Sequence, residues 1–240
     1  DLDFSDIAPY DDSVFHQKME ELVKEPGFLH AVNYTMPKED VPMLIEELLR
    51  IDNKYDFQRQ VMFPFLEMLV KKTTSGITMG GIKYLNPSLN YTFITNHRDI
   101  VLDASFLNLA FLRKGIPASE VAIGNNLLIY PWIEDLVLLN KSFIVKRNTS
   151  FREGLLAAKH LSAYIHFTIL DKHESIWIAQ REGRAKDSSD HTQESLVKML
   201  ALGGEGAFMD RLKEINLMPV AISYEYDPND YLKAKEFLLR

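Results

Sequence analysis

The sequence predicts an α/β fold, a mixed and largely parallel sheet flanked by helices and preceded by a small N-terminal helical domain. Three observations predict it. Apolar residues recur at helical spacing through residues 11–72, short β-branched or aromatic runs follow after Thr73-Thr74-Ser75-Gly76, and helical stretches separate those runs. Strands that alternate with helices bury both faces of their sheet under the crossovers, and this favours a parallel arrangement.

Within residues 11–72, Val41, Met43, Leu44, Ile45, Leu48 and Leu49, then Val61, Phe65, Leu66, Leu69 and Val70, recur at helical spacing, and three or four helices are expected. The change of pattern near residue 75 sets a helical domain over 1–75 and an α/β domain over 76–240. Strands are expected at 77–85, 91–95, 121–123, 143–145, 175–179 and 219–223, with no internal repeat and no low-complexity segment.

The composition suits this architecture. At 240 residues, 46% hydrophobic and 25% charged, the chain can bury a sizeable core. The absence of cysteine removes disulfides, thiolate metal sites and a cysteine nucleophile, and fits a cytoplasmic setting. No apolar run approaches the roughly 18 to 20 residues of a membrane span, and the acidic start lacks the features of a signal peptide, so any membrane contact is expected to be peripheral. The chain starts at Asp1 without a methionine and residues 231–240 still read as helix, so a longer parent protein is expected.

A net charge of −7 argues against nucleic-acid binding through phosphate neutralisation. The charge is nevertheless uneven: residues 1–60 hold fourteen acidic and six basic side chains, whereas residues 141–186 hold nine basic against four acidic. The second stretch creates a positive field suited to a small anion or an anionic surface.

Four blocks can carry chemistry. The first is Asn96-His97-Arg98-Asp99-Ile100-Val101-Leu102-Asp103, a turn between a strand and an apolar helix. Such a turn lies at the carboxyl end of a sheet strand, where α/β folds present reactive groups. A histidine there with a carboxylate on one ring nitrogen can act as a general base through the other. On a regular helix, residues six apart sit roughly 120° apart around the axis, so His97 and Asp103 meet only if the turn is irregular. Asp99 is the competing partner or a helix cap, and Asp103 is favoured. A metal site from His97, Asp99 and Asp103 is a further reading of these residues, though a third strong ligand is not evident.

The second block, Lys141-Ser142-Phe143-Ile144-Val145-Lys146-Arg147-Asn148, is a strand ending in two cations that would suit a phosphomonoester or lie in solvent. The third runs from Ile176 through Trp177, Ile178 and Ala179 into Gln180-Arg181-Glu182-Gly183-Arg184-Ala185-Lys186, where Gly183 lets backbone approach a ligand closely. The fourth, Leu217-Met218-Pro219-Val220-Ala221-Ile222, reads alone as a core strand.

In order and approximate spacing the four blocks resemble the glycerophosphate acyltransferase superfamily, over roughly residues 76–224. The third block is similar to the loop of soluble plastid glycerol-3-phosphate acyltransferases, which also carry a helical N-terminal domain. The resemblance implies O-acyl transfer in phospholipid biosynthesis from acyl-CoA or acyl-carrier protein, as co-substrate, to a phosphorylated glycerol-type acceptor, with no metal or tightly held cofactor. It implies His97 as catalytic base with Asp103 behind it, and Lys146, Arg147, Glu182, Gly183, Arg184 and Lys186 as acceptor-binding residues. The family places four residues between His and Asp where this chain has five, and a residue between Gly and Arg that this chain lacks. An amino-acid-derived lipid acceptor, a metal-dependent phosphohydrolase and a silent lipid- or phosphate-binding module are the competing functions. Residues 104–111, 127–139 and the N-terminal helices could line an acyl groove or be plain core.

Overall fold

A computed structural model describes residues 3–147, 150–187 and 189–239. The N-terminal helices are α1 (Asp12–Leu22), α2 (Pro26–Thr35), α3 (Val41–Leu48), α4 (Lys54–Phe57) and α5 (Phe63–Thr73), the last two joined by a π-helical turn over Gln58–Met62. Asp11 starts α1 by accepting the Ser13 N–H on its side chain at 2.9 Å. A proline in the first turn starts α2 and α3, where a missing N–H costs nothing. Pro64 cannot donate back into the preceding turn, and the helical register changes to π just before it.

The chain continues through β1 (Thr92–Thr95), α6 (Leu102–Leu112), β2 (Glu120–Gly124), α7 (Pro131–Leu139), β3 (Ser142–Val145) and α8 (Phe151–Leu170). It ends with β4 (Ile176–Ala179), α9 (Glu194–Leu200), α10 (Phe208–Glu214), β5 (Leu217–Val220) and α11 (Asp230–Leu238). The sheet is parallel with strand order β3-β2-β4-β1-β5. β1 is flanked on both sides, Thr92 facing Ile176 of β4 and Leu217 of β5. All four of its residues are buried, so it reads as a continuous run rather than an alternating one.

Two strand expectations are corrected. Residues 77–85 form no strand: Gly76 (φ 136°) and Gly81 (φ 83°) take backbone conformations foreign to a strand, and Ile82–Tyr84 close a 3-10 turn. The last strand ends at Val220 rather than 223, because the Ile222 backbone bonds the Asn96 side chain instead of a strand neighbour.

The chain packs as two compact units, Asp1–Gly76 with Ile123–Thr149, and Ile77–Ala122 with Ser150–Arg240. The first therefore takes in α7 and β3 beside the N-terminal helices. Its core gathers Phe15, Met19, Leu22, Leu48, Phe57 and Leu139, with Trp132 and Leu136 packed against it. A methyl group on Gly27 would lie 2.3 Å from the Trp132 indole nitrogen, so only glycine fits there. The core of the second unit gathers Tyr91, Phe93, Ala104, Leu107, Phe111 and Trp177, with the Phe93 and Phe111 rings 4.7 Å apart. Residues 104–111 thus serve largely as core, and within 127–139 Trp132, Leu136, Leu138 and Leu139 do, whereas Ile129 and Tyr130 are exposed. Within the same unit, fully buried Glu120 accepts from the Tyr164 hydroxyl at 2.5 Å and pairs with Lys172, which offsets the cost of burying its charge. Among the described residues, no helix is long and apolar enough to cross a membrane.

Candidate active site

β1 delivers residues 96–103 to the carboxyl end of the sheet in the second unit. The Asn96 amide clamps the Ile222 backbone, donating to its carbonyl at 2.9 Å and accepting its N–H at 2.7 Å. The chain then leaves the sheet through an irregular turn before α6 begins at Leu102. This turn brings the two side chains together across five intervening residues: His97 Nδ1 lies 3.1 Å from Asp103 Oδ2.

Asp103 is fully buried and holds four donors. Its Oδ2 accepts from His97 and from the backbone N–H groups of Arg98 (2.7 Å) and Asp99 (3.0 Å), and its Oδ1 accepts the Tyr224 hydroxyl (2.8 Å). Such donors are what a carboxylate needs to stay charged away from water. Burial first, and then the Asp103 charge, push the Tyr224 phenol well above its ordinary range, so it remains a donor. Asp99 has a different role. Its Oδ1 accepts the N–H groups of Val101 and Leu102, each at 2.9 Å, capping the entry to α6, and its Oδ2 accepts from Asn229 at 3.1 Å. Among the described residues, no group of three or more His, Asp or Glu is placed to hold a metal ion.

His97 is 8% exposed, and its ring meets that of Trp177 edge-on at 6.2 Å. Among the described residues, its Nε2 has no hydrogen-bond partner. Asp103 accepts at Nδ1, so in the neutral ring that nitrogen carries the proton and Nε2 the lone pair, an assignment that follows from the hydrogen-bond network.

The third block reaches the same turn through its backbone, the Ala185 N–H donating to the His97 carbonyl at 2.7 Å. Gly183 (φ 69°) allows the bend that brings it there. Exposed Glu182 is tied by its backbone N–H to the Gln193 side chain at 2.9 Å. Arg184 and Lys186 flank Ala185, and both face Glu236 of α11. Lys186 is in direct contact with that carboxylate, and Arg184 Nη2 is 3.8 Å from it. The Arg184 Nε is buried without a partner. Arg98 is spent on the neighbouring loop, with 2.7 Å to the Asp187 carbonyl and 2.6 Å to the Asp190 carboxylate.

Lys146 and Arg147 belong to the first unit. Lys146 pairs there with Asp6, and the Arg147 N–H donates to Asn125 Oδ1 at 2.9 Å. The Arg147 guanidinium packs so close to Gly124 that an added methyl would lie 2.8 Å from its Nε. Asn148, the end of the second block, lies outside the described residues.

A cavity of about 1000 Å³ opens in the second unit beside the ends of β1 and β5. Asn96, Arg98, Lys186, Tyr224 and Lys233 are among its walls, so residues on either side of His97 line it while His97 itself does not. Sequence reasoning missed Tyr224, Asn229, Lys233 and Glu236. Lys233, 3% exposed, reaches the Arg98 carbonyl at 2.6 Å and pairs with Asp227. No family model matches the chain, and no curated protein matches it.

Proposed function

We propose that the chain is an acyltransferase of the glycerolipid type, in which His97 removes a proton from a hydroxyl of a phosphate-bearing acceptor as that oxygen attacks an acyl thioester. One observation carries the reading: a histidine at the carboxyl end of a parallel strand, bonded at Nδ1 to a fully buried carboxylate, with Nε2 left without a partner among the described residues. The order of the four sequence blocks supports it, and so does the backbone bond that joins the third block to His97.

The hydroxyl proton passes to Nε2 while the acceptor oxygen bonds to the thioester carbon. Asp103 keeps its charge and stabilises the imidazolium. Collapse of the tetrahedral intermediate breaks the carbon–sulfur bond, and the imidazolium returns the proton to the departing thiolate. Attack is direct, because the sequence holds neither a cysteine nor a Gly-x-Ser-x-Gly elbow. Arg184 and Lys186 hold the acceptor phosphate, with the planar fork of one and the point charge of the other. General-base help is typically about 10²–10⁴-fold, so alignment of the two substrates must contribute as much again.

The test is thiol release from acyl-CoA and acyl-carrier protein across phosphorylated and unphosphorylated acceptors, with and without a chelator. Release that depends on a phosphorylated alcohol and survives the chelator supports the reading. Phosphate release that stops with the chelator, or no release with any acceptor, overturns it.

A further inference from the structure

We infer that Tyr224 is a positioning residue for this reaction: its hydroxyl holds the free oxygen of Asp103, and through Asp103 it sets the orientation and proton affinity of His97. The inference rests on the proposed reading of His97 as base, and its geometry stands independently. Asp103 has no exposure to solvent, so each of its oxygens needs a donor from the protein. Oδ2 has three. Among the described residues, Oδ1 has the Tyr224 hydroxyl alone, at 2.8 Å. A buried carboxylate oxygen without a donor disfavours the anion, and the carboxylate then turns to recover a partner. That movement is transmitted to the imidazole, because His97 Nδ1 bonds the other oxygen of the same group.

Tyr224 is held in register for this task. The Asn96–Ile222 clamp fixes the strand-end backbone two residues before it against the residue that precedes His97. Its ring packs at 6.4 Å from that of Phe106 on α6, the helix that carries Asp103. The carboxylates of Asp103, Asp99 and Asp227 all disfavour loss of the phenolic proton, so the donor persists wherever the carboxylate is charged. Tyr224 is also among the residues that line the cavity, so a ligand that moves it disturbs the histidine without touching it.

The test is Tyr224→Phe, which keeps the ring and removes only the hydroxyl. Its thermal melt establishes that the variant is folded. The ring nitrogens of His97 are followed by 15N NMR, with the signals assigned by their loss in His97→Gln, and thioester turnover is measured in parallel. The expected result is a fall in kcat of about tenfold with KM within about twofold, the scale of one hydrogen bond to a charged group. The acid limb of the kcat profile and the His97 titration both move to higher pH, because a carboxylate with one donor fewer holds the imidazolium more firmly. A His97 titration and Nδ1–H signal identical to wild type overturn the inference whatever kcat does. If the wild type turns over no thioester, the acyl-transfer reading falls, while the NMR comparison still decides the role of Tyr224.

Discussion

Replacing Glu236 by Gln should tighten the binding of a phosphate-bearing ligand by about fivefold. In the proposed reading Arg184 and Lys186 receive that phosphate, yet both face the Glu236 carboxylate, one at 3.8 Å and the other in contact. A ligand phosphate must displace or share that carboxylate. Coulomb attraction at 3.8 Å is about 4 kcal/mol at an effective dielectric of 20, but solvent reaches 44% of the Glu236 side chain and 28% and 21% of its partners. Exposed pairs of this kind are worth about 0.2–1 kcal/mol each, so two of them oppose the ligand by roughly 0.4–2 kcal/mol, a factor of about 2 to 30. Glutamine keeps the size of the side chain and an acceptor for Lys186, so only the charge is removed.

The assay is calorimetric titration with inorganic phosphate and with glycerol 3-phosphate, at low and at high salt, on wild type, Glu236→Gln, Arg184→Ala and the double variant. The gain should shrink as salt rises, because exposed charges are screened within about 10 Å at 0.1 M. It should also shrink in the Arg184→Ala background, since the carboxylate then has one cation fewer to occupy. Unchanged binding in Glu236→Gln, or an equal gain with and without Arg184, would refute the reasoning that the anion and Glu236 compete for the same cations.

Three further outcomes follow from the same geometry. His97→Ala should lower turnover by about 10²–10⁴-fold while the thermal melt stays near wild type, because Asp103 retains three of its four donors; thiol-release kinetics and calorimetry check this. Arg184→Ala should raise KM for a phosphorylated acceptor far more than for an uncharged one, and an equal effect on both would remove its phosphate role. The phenols of Tyr10, Tyr164 and Tyr224 are pushed above their ordinary value of 10.0, each chiefly by burial and then by bonding to a carboxylate or by its charge. Folding therefore favours their protonated forms, a contribution complete below about pH 10 and lost as pH rises towards their folded values. Urea melts between pH 8 and pH 11, roughly, should show stability falling only at the alkaline end, with Tyr10, Tyr164 and Tyr224 ionising late by absorbance.

The parts of this structure legible in the sequence are those the chain enforces locally. β1 and β4 are short β-branched or aromatic runs covered on both faces, and their composition marks them. Residues 77–85 have similar composition but no ladder partner, and the glycines at 76, 80 and 81 were the signal against a strand. His97 and Asp103 are six residues apart, close enough for a turn to join them. Tyr224 stands 121 residues from Asp103, Asn229 stands 130 from Asp99, and Ile222 stands 126 from Asn96. Nothing in the local pattern distinguishes a tyrosine after a strand from any other.

The same distinction separates charge from available charge. The sequence shows cations at 184 and 186, but only folding brings α11 across to face them with Glu236. The two carboxylates of the turn show the opposite economy. Asp99 spends its oxygens on the start of α6 and on Asn229, which leaves Asp103 as the carboxylate bonded to His97. The five residues between His97 and Asp103 are accommodated in a turn whose backbone N–H groups at Arg98 and Asp99 converge on Asp103. The turn is shaped by the carboxylate it surrounds, so the position of His97 depends on the charge of Asp103 as much as on the path of the chain.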